Sequence, residues 1–438
     1  MSFNRPVTTL FSDTLENKLY IGGYFRFYDS LDYKGVASWD GASITNLSCG
    51  LGGCTSVSCG GVIQFESFNG DLYALFIEDS VGCQNIHHIA KWNGSNWISL
   101  SQNFYFNSSP VTISSMTILD QNLIISGGFD SILTKKVHGI TKYDGLNWDT
   151  IFNCDLFTDS HLLIHPLIEY NNIIYAQNYL EDTLGNRQLF SSWNGQCWEK
   201  VPGAFSNTSG GITKMIVYKN ELYIAGMFDP NHDSQAPGKS IARWNGVRWD
   251  DLNGGVQLTN SNYLANILDM AIYNDELYIV GGFQFAGSIP ASNIAKWNGS
   301  NWCALNNQFS SEITSIAFYH DSIFLGGTFR KIDNDSISFF SKSNISSFDS
   351  CESNVSVSEP NNIKFNLYPN PIITGKLNFK SNVQVEELII TDIHGRTLFI
   401  KIIESGESQL DISFLSSGVY ILIAKTTNGS FINKVLKI

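Results

Sequence analysis

Histidine, cysteine and clustered acids are the side chains most able to carry chemistry in this 438-residue chain. The histidines are His87, His88, His138, His161, His165, His232, His320 and His394. "HLLIH" separates His161 from His165 by four residues in an apolar, strand-like context. On a strand that spacing is about 13 Å, too far for both to reach one metal ion. No HExxH, GxSxG, phosphate-binding loop or GxGxxG before a helix is present. "FDPNHDSQ" sets Asp229, Asn231 and Asp233 at alternating positions, as oxygen donors stand in a calcium loop. It lacks the glycine and distal glutamate of such loops, so it is a weak calcium candidate. Asp333 in "DNDS" is weaker still. Copper-radical chemistry would need a Tyr/His/Cys set that cannot be assigned. Two facing carboxylates for glycoside hydrolysis would have to come from separate segments. No catalytic residue, cofactor or firm metal site is expected.

Cys49, Cys54 and Cys59 fall in one Gly-rich stretch, "SCGLGGCTSVSCGG", with Cys83 beyond it and Cys154, Cys197, Cys303 and Cys351 further on. An even number fits disulfides in an oxidising compartment. Free buried thiols and a zinc site are the other two readings, because spacing decides neither connectivity nor redox state.

The elements that would position these residues are legible in composition and repetition. Hydrophobic residues make up 43% and aromatics 13%, which marks a globular chain. Charged residues are only 15%, against roughly 25% in an average soluble protein. Gly, Asn, Ser and aromatics take their place, a β-rich and turn-rich composition. The net charge of −13 argues against nucleic acid or an anionic membrane as partner, since both need clustered Lys and Arg. No apolar run approaches the roughly 18 residues that span a bilayer as a helix.

"IAKWNGSNW" occurs verbatim at Ile89–Trp97 and at Ile294–Trp302. Looser copies begin at Val36, Ile140, Phe190 and Ile241. Their first aromatics, Trp39, Trp92, Tyr143, Trp193, Trp244 and Trp297, stand 53, 51, 50, 51 and 53 residues apart. An apolar motif precedes each one, as in "LYIGGYF" at Leu19 and "LYIVGGF" at Leu277. A seventh copy, "IFLGGTF" at Ile323, is followed by a degenerate partner. Each unit reads as four short strands, with a polar turn between the first two and Asn-Gly between the last two. Seven such units predict an all-β fold, a seven-bladed β-propeller over residues 6–346. All ten tryptophans lie in these motifs: Trp39, Trp92, Trp193, Trp244 and Trp297 in the first place, Trp97, Trp148, Trp198, Trp249 and Trp302 five residues on. A two-residue loop pairs Trp92 with Ser95; a four-residue loop pairs it with Trp97. Both put the two indoles on one face, where they would fill the gap between blades. The alternative is a set of sugar-stacking platforms. The Gly-Gly doublets that end the apolar runs imply close backbone approach near the axis.

This pattern resembles the kelch and galactose-oxidase group of propellers, and more closely the "LYVGGxF…IAxWdGxxW" repeats of large microbial surface proteins. The resemblance covers residues 6–350 and speaks to fold, since propellers host enzymes, lectins and binding platforms alike.

Residues 347–363 read as a Ser/Asn-rich linker, and 364–438 as about seven short strands of a small Ig-like β-sandwich. This segment resembles the type A C-terminal sorting domain of the type IX secretion system of Bacteroidota. The matching residues are Tyr368, Pro369, Asn370 and Pro371, then Gly395, then Gly418 and Tyr420 in "LSSGVYIL", and Lys434 in the last strand. The resemblance implies export across the outer membrane by the type IX machinery, with a secreted or surface-attached product. Such cargo first needs an N-terminal signal peptide, and "MSFNRPVTTLFSDTLENK" has no apolar core of one. More sequence is therefore expected upstream of Met1. The expected function is an exported binding or adhesion module for glycan or protein. The alternative is a secreted carbohydrate-active enzyme with its site in the axial pocket.

Overall fold

The computed structural model describes residues 3–29, 31–47, 61–76, 88–100, 104–105, 112–137, 139–151, 166–181, 187–203, 211–229, 237–259, 263–305, 307–344, 365–373, 375–381, 384–391, 397–404, 408–426 and 429–438. These residues contain strands and turns and no helix. The chain divides into two compact units, Met1–Cys351 and Glu352–Ile438.

In the first unit each repeat folds into its own antiparallel sheet. The first sheet orders its strands Val7–Asp13, Lys18–Gly23, Val36–Trp39 and Ile44–Asn46 from one edge to the other. Five more four-stranded sheets follow with the same order, and a last one has three strands among the described residues. The first strand of each sheet packs on the first strand of the next. The series closes on itself, because the seventh first strand, Ile313–Tyr319, packs on Val7–Asp13. The architecture fits a β-propeller.

The core is divided accordingly. Among the described residues there is no single interior; seven apolar clusters each join two neighbouring sheets. One holds Leu19, Ile21 and Trp39 of the first sheet with Ala317, Tyr319, Phe324 and Phe340 of the seventh. Another holds Tyr223 and Ile241 of the fifth with Leu277, Trp297 and Trp302 of the sixth. A sheet is apolar on both faces here because both faces are covered.

The motif hairpin adopts the longer of the two loops open to it. Trp92 pairs directly with Trp97, and Trp297 with Trp302. The physical reason is the Asx side chain. Asn93 Oδ1 accepts the N–H groups of Ser95 (3.0 Å) and Asn96 (2.8 Å), while Gly94 takes φ of 93°. Asp40, Asp144, Asn194, Asn245 and Asn298 make the same pair of bonds in the other repeats. At Asp40 and Asp144 these N–H donors hold the carboxyl below the usual carboxylate range. The paired indoles touch, with ring centroids 5.2 Å apart for Trp92–Trp97 and 5.0 Å for Trp297–Trp302. Trp39, Trp97, Trp148, Trp198, Trp244, Trp297 and Trp302 are buried; Trp92, Trp193 and Trp249 are half-buried.

Among the described residues six of the seven first strands carry a bulge near their start, as between Val7 and Thr9 or Ile267 and Asp269. The glycines of the second strand lie opposite it. A Cβ on Gly226 would stand 2.0 Å from Gly211 O, and one on Gly281 would stand 2.1 Å from Asn266 O. Only glycine admits that approach.

In an antiparallel four-stranded order, the connections between the first and second strands and between the third and fourth strands share one edge of the ring. The motif loops are on that edge. The connections from second to third strand lie on the opposite edge, where small extra hairpins occur, as at Phe27–Tyr28 with Leu31–Asp32.

The second unit has two sheets. One contains Phe365–Tyr368, Lys376–Ser381 and Gln409–Asp411. The other contains Thr397–Ile402, Val385–Thr391, Gly418–Thr426 and Gly429–Lys437, in that order. Leu377, Phe379 and Leu410 of the first share one core with Leu388, Ile390, Leu422 and Val435 of the second.

Candidate functional site

The inner rim of the first unit poses a polar problem. Each first strand is the inner edge of its sheet, so part of its backbone N–H and C=O has no strand partner. Side chains from the preceding sheet supply partners. The residue just past the bulge is Thr9, Gln64, Ser115, Lys214, Asp269 or Ser315 in six of the seven sheets. Gln64 Oε1 accepts the N–H of Met116 in the next sheet (2.9 Å). Asp269 Oδ2 accepts the N–H of Ile316 (3.1 Å), and Ser315 Oγ accepts the N–H of Leu10 (3.0 Å). The bulge hydroxyls add a second series: Thr213 Oγ1 donates to Ile267 O, Thr314 Oγ1 to Val7 O, and Thr8 Oγ1 to Val62 O.

Lys214 departs from this pattern. An ammonium cannot accept an N–H. It instead forms an ion pair with Asp269 Oδ1 at 2.9 Å. Asp269 Oδ1 also accepts the N–H of its own neighbour Met270 (2.9 Å), the group that Lys214 cannot serve. Asp269 Oδ2 takes Ser315 Oγ (3.0 Å) and Ile316 N–H. Four donors therefore saturate one carboxylate. The Asp269 carboxylate, with a smaller contribution from Glu66, raises the Lys214 pKa above the ordinary lysine value. The Lys214 side chain is nevertheless 44% exposed.

Glu66 lies two residues beyond Gln64 on the second sheet's inner strand. Burial pushes its carboxyl up to about 7, against the opposing pull of the Ser67 backbone and the Lys214 ammonium. Glu66 and Lys214 come from sheets three repeats apart, so only closure of the ring brings them within electrostatic reach. Sequence reading missed both. The signal for Lys214 was the place just past the bulge, which holds Thr9, Gln64, Ser115, Asp269 and Ser315 in sister repeats; Glu66 lies two residues beyond that place.

The residues singled out by sequence fall elsewhere. Asp229 is half-buried after the second strand of the fifth sheet; Asn231 and Asp233 lie outside the described residues. Among the described residues no group of three or more His, Cys, Asp or Glu could hold a metal ion. Of the histidines only His88 and His320 are described, and His320 Nε2 bonds Asn17 Oδ1 (3.0 Å). Of the cysteines only Cys197 and Cys303 are described, and neither is a free thiol.

The C-terminal motif residues converge on the last strand. Asn370 Nδ2 donates to Lys434 O (2.7 Å), and Asn370 Oδ1 accepts Leu436 N–H (2.9 Å). Ile372 continues the attachment, its N–H donating to Leu436 O (2.7 Å) and its carbonyl accepting from Ile438 (3.0 Å). Tyr368, Pro369 and Pro371 are exposed beside it. Tyr420 OH donates to Ser416 O (2.8 Å), with Gly418 packed against its ring. Lys437 Nζ donates to the carbonyls of Ile412, Ser413 and Leu415. Gly395 lies outside the described residues.

Residues 366–438 match the family of secretion-system C-terminal sorting domains. The second unit is thus a type IX sorting tail, which implies a secreted or outer-membrane surface protein that engages that machinery. No curated protein matches the chain. Among solved structures, the chain is similar to an extracellular domain described as that of a hybrid two-component system from B. thetaiotaomicron: 12% identity, 99% of this chain and 56% of that one, TM-score 0.47. It is also similar to YjhT, at 12% identity over 68% of this chain and 97% of that one, TM-score 0.37. A GH43B protein of a Bacteroides ovatus xyloglucan locus aligns at 9% identity over 85% of this chain and 89% of that one, TM-score 0.31. Likenesses this loose add nothing to the argument. No helix among the described residues is long and apolar enough to cross a membrane.

Proposed function

We propose that the chain is an exported, surface-attached or secreted seven-bladed β-propeller that works as a binding or adhesion module for glycan or protein. Its domains are the propeller at 6–346, a linker at 347–363 and an Ig-like sorting domain at 364–438. The sorting-domain match at 366–438 carries the export part of this reading. The seven inter-sheet clusters and the packing of Ile313–Tyr319 on Val7–Asp13 support seven blades. Burial of most motif tryptophans favours blade packing as their role over sugar stacking. The cysteines fit a disulfide framework, supported by the absence of a free thiol at Cys197 and Cys303.

The inner rim favours binding over hydrolysis. Two-carboxylate catalysis needs one acid and one base or nucleophile, both available. Among the described inner-rim residues, Asp269 is saturated by four donors and Glu66 alone has a raised carboxyl pKa. The alternative, a carbohydrate-active enzyme with an axial site, draws its support from Glu66. A glycan and protein array probed with the full chain tests the binding reading. Retained, unmodified ligands support it; turnover of any hit overturns it in favour of the enzyme.

A further inference from the structure

The edge of the ring opposite the motif loops carries small extra sheets whose two faces differ in kind. One such sheet contains Phe104–Tyr105, Ser131–Ile132 and Lys135–Lys136, in that order. Cross-strand pairing sets Phe104, Ile132 and Lys135 in one row and Tyr105, Ser131 and Lys136 in the next. Neighbouring rows of a sheet face opposite sides. The first row is an anchor. Phe104 and Ile132 are buried, and Phe104 packs edge-on against Phe129 (4.9 Å) and Trp148 (5.1 Å). Lys135 Nζ is engaged by Asp149 Oδ1 (2.8 Å) and the Trp148 carbonyl (3.1 Å). The second row faces outward: Tyr105 is 52% exposed, Lys136 is exposed and Ser131 is half-buried. Ser131 Oγ donates to Asp130 Oδ1 (2.8 Å) and keeps its lone pairs. Among the described residues neither the Tyr105 hydroxyl nor the Lys136 ammonium has a hydrogen-bond or ion-pair partner. A sister sheet, Val256–Gln257 with Phe285–Ala286 and Ile289–Pro290, is anchored in the same way by buried Val256 and Ala286. Its outward Gln257 is engaged within the protein, by the Gly287 carbonyl (3.2 Å) and Lys239 Nζ (3.3 Å). Anchoring therefore explains the inward row of both sheets and leaves the exposed tyrosine and unpaired lysine unexplained.

We propose that Tyr105, Ser131 and Lys136 bind an acidic glycan, a chain of uronate-type sugars, along the outer face of this sheet. The proposal deepens the binding reading above and rests on it. The row crosses two strand spacings, about 10 Å, a length that two linked sugar rings also cover. One sugar lays its apolar face on the Tyr105 ring, a hydroxyl donates to Ser131 Oγ, and a carboxylate of the neighbouring sugar pairs with Lys136. Charge selects the acid. Lys135, Lys136 and Lys142 outnumber Asp130 and Asp149 around the row, and Asp149 is already paired with Lys135 and Lys142. This local excess of cations stands on a chain of net charge −13. A neutral glycan fits worse because it leaves the Lys136 charge unmatched, and a metal cation is repelled by it.

Isothermal titration of the full chain tests this with trigalacturonate, trimannuronate and triguluronate. Cellohexaose and xylohexaose serve as neutral probes, and polyglutamate as a polyanion without sugar. The wild type should bind at least one of the uronates, more weakly as salt is raised. Y105A and K136M should each weaken that binding about tenfold or more. K331M removes an exposed lysine from the small hairpin of the seventh repeat, Lys331–Ile332 with Asp335–Ser336, and should leave binding unchanged. Melting curves and near-ultraviolet circular dichroism verify that each variant is folded. If Y105A unfolds, K136M and the salt dependence decide the matter. Uronate binding that Y105A or K136M leaves untouched overturns the site and leaves the binding reading standing. So does a preference for the neutral sugars, or polyglutamate binding as tight as that of the uronates. No binding of any uronate overturns the site as well. If the array also finds no glycan or protein ligand, the binding reading falls with it.

Discussion

Thr314 Oγ1 donates a 2.8 Å hydrogen bond to Val7 O, joining residues 307 positions apart. Its neighbour Ser315 accepts the N–H of Leu10 and donates to Asp269, so three sheets meet at one hydroxyl. Tyr319 OH reaches Asn17 O (2.9 Å) on the same seam. No strand is shared between the first and last sheets among the described residues. The seam rests on side chains.

Ser315→Ala should therefore be costly for so small a change. It strands the Leu10 N–H and leaves one acceptor position of the Asp269 carboxylate unfilled, in a site where Ser315 is only 3% exposed. An orphaned buried polar group costs about 1–3 kcal/mol. Urea unfolding should show a loss of that size. A loss under about 0.5 kcal/mol would mean that the seam does not depend on this hydroxyl.

Asp269→Asn keeps the shape but removes the charge that faces Lys214 at 2.9 Å. Removing one partner of a largely shielded pair costs about 3–5 kcal/mol when burial is complete, and less here because Lys214 is partly exposed. A destabilisation of about 1–3 kcal/mol is expected by denaturant melt, rising when salt is lowered.

Glu66 gives a pH-dependent prediction with a definite sign. Its carboxyl titrates near 7 in the folded chain, above the ordinary glutamate value of 4.5. The folded state thus binds this proton more tightly than the unfolded state. Glu66 therefore costs stability above pH 7, and the cost disappears as pH falls toward 4.5. Glu66→Gln should be more stable than wild type at pH 8, by about 1–3 kcal/mol. The two should converge near pH 4.5. Thermal melts of both proteins from pH 4.5 to 8 check this; parallel curves would contradict it.

Asn93→Ala removes the acceptor for two loop N–H groups. By analogy with helix caps, about 0.5–2 kcal/mol should be lost. Asn93→Asp should be close to neutral, since Asp40 and Asp144 do the same work in sister repeats. Chemical denaturation distinguishes the two substitutions.

Asn370→Ala should loosen the last strand, because both of its amide bonds go to Lys434 and Leu436. Hydrogen exchange at residues 434–438 should speed up at least tenfold while the first unit is unaffected. In a host with type IX secretion, export of the variant should fall.

The repeat length, the four strands per unit and the sorting motif were legible in sequence. The first two depend on local patterning repeated many times, which survives drift at any one copy, and the third on residues in a fixed order within one segment. The hairpin loop was half legible. Asn-Gly allowed two loop lengths, and the pairing of Trp92 with Trp97 settled on four residues because Asn93 caps Ser95 and Asn96. Lys214 and Glu66 were not legible. Each is one residue in a position that varies from repeat to repeat, and no spacing along the chain relates them. They come within electrostatic reach only because the sheets close into a ring, and that closure is a long-range packing result carried by contacts such as Thr314 to Val7.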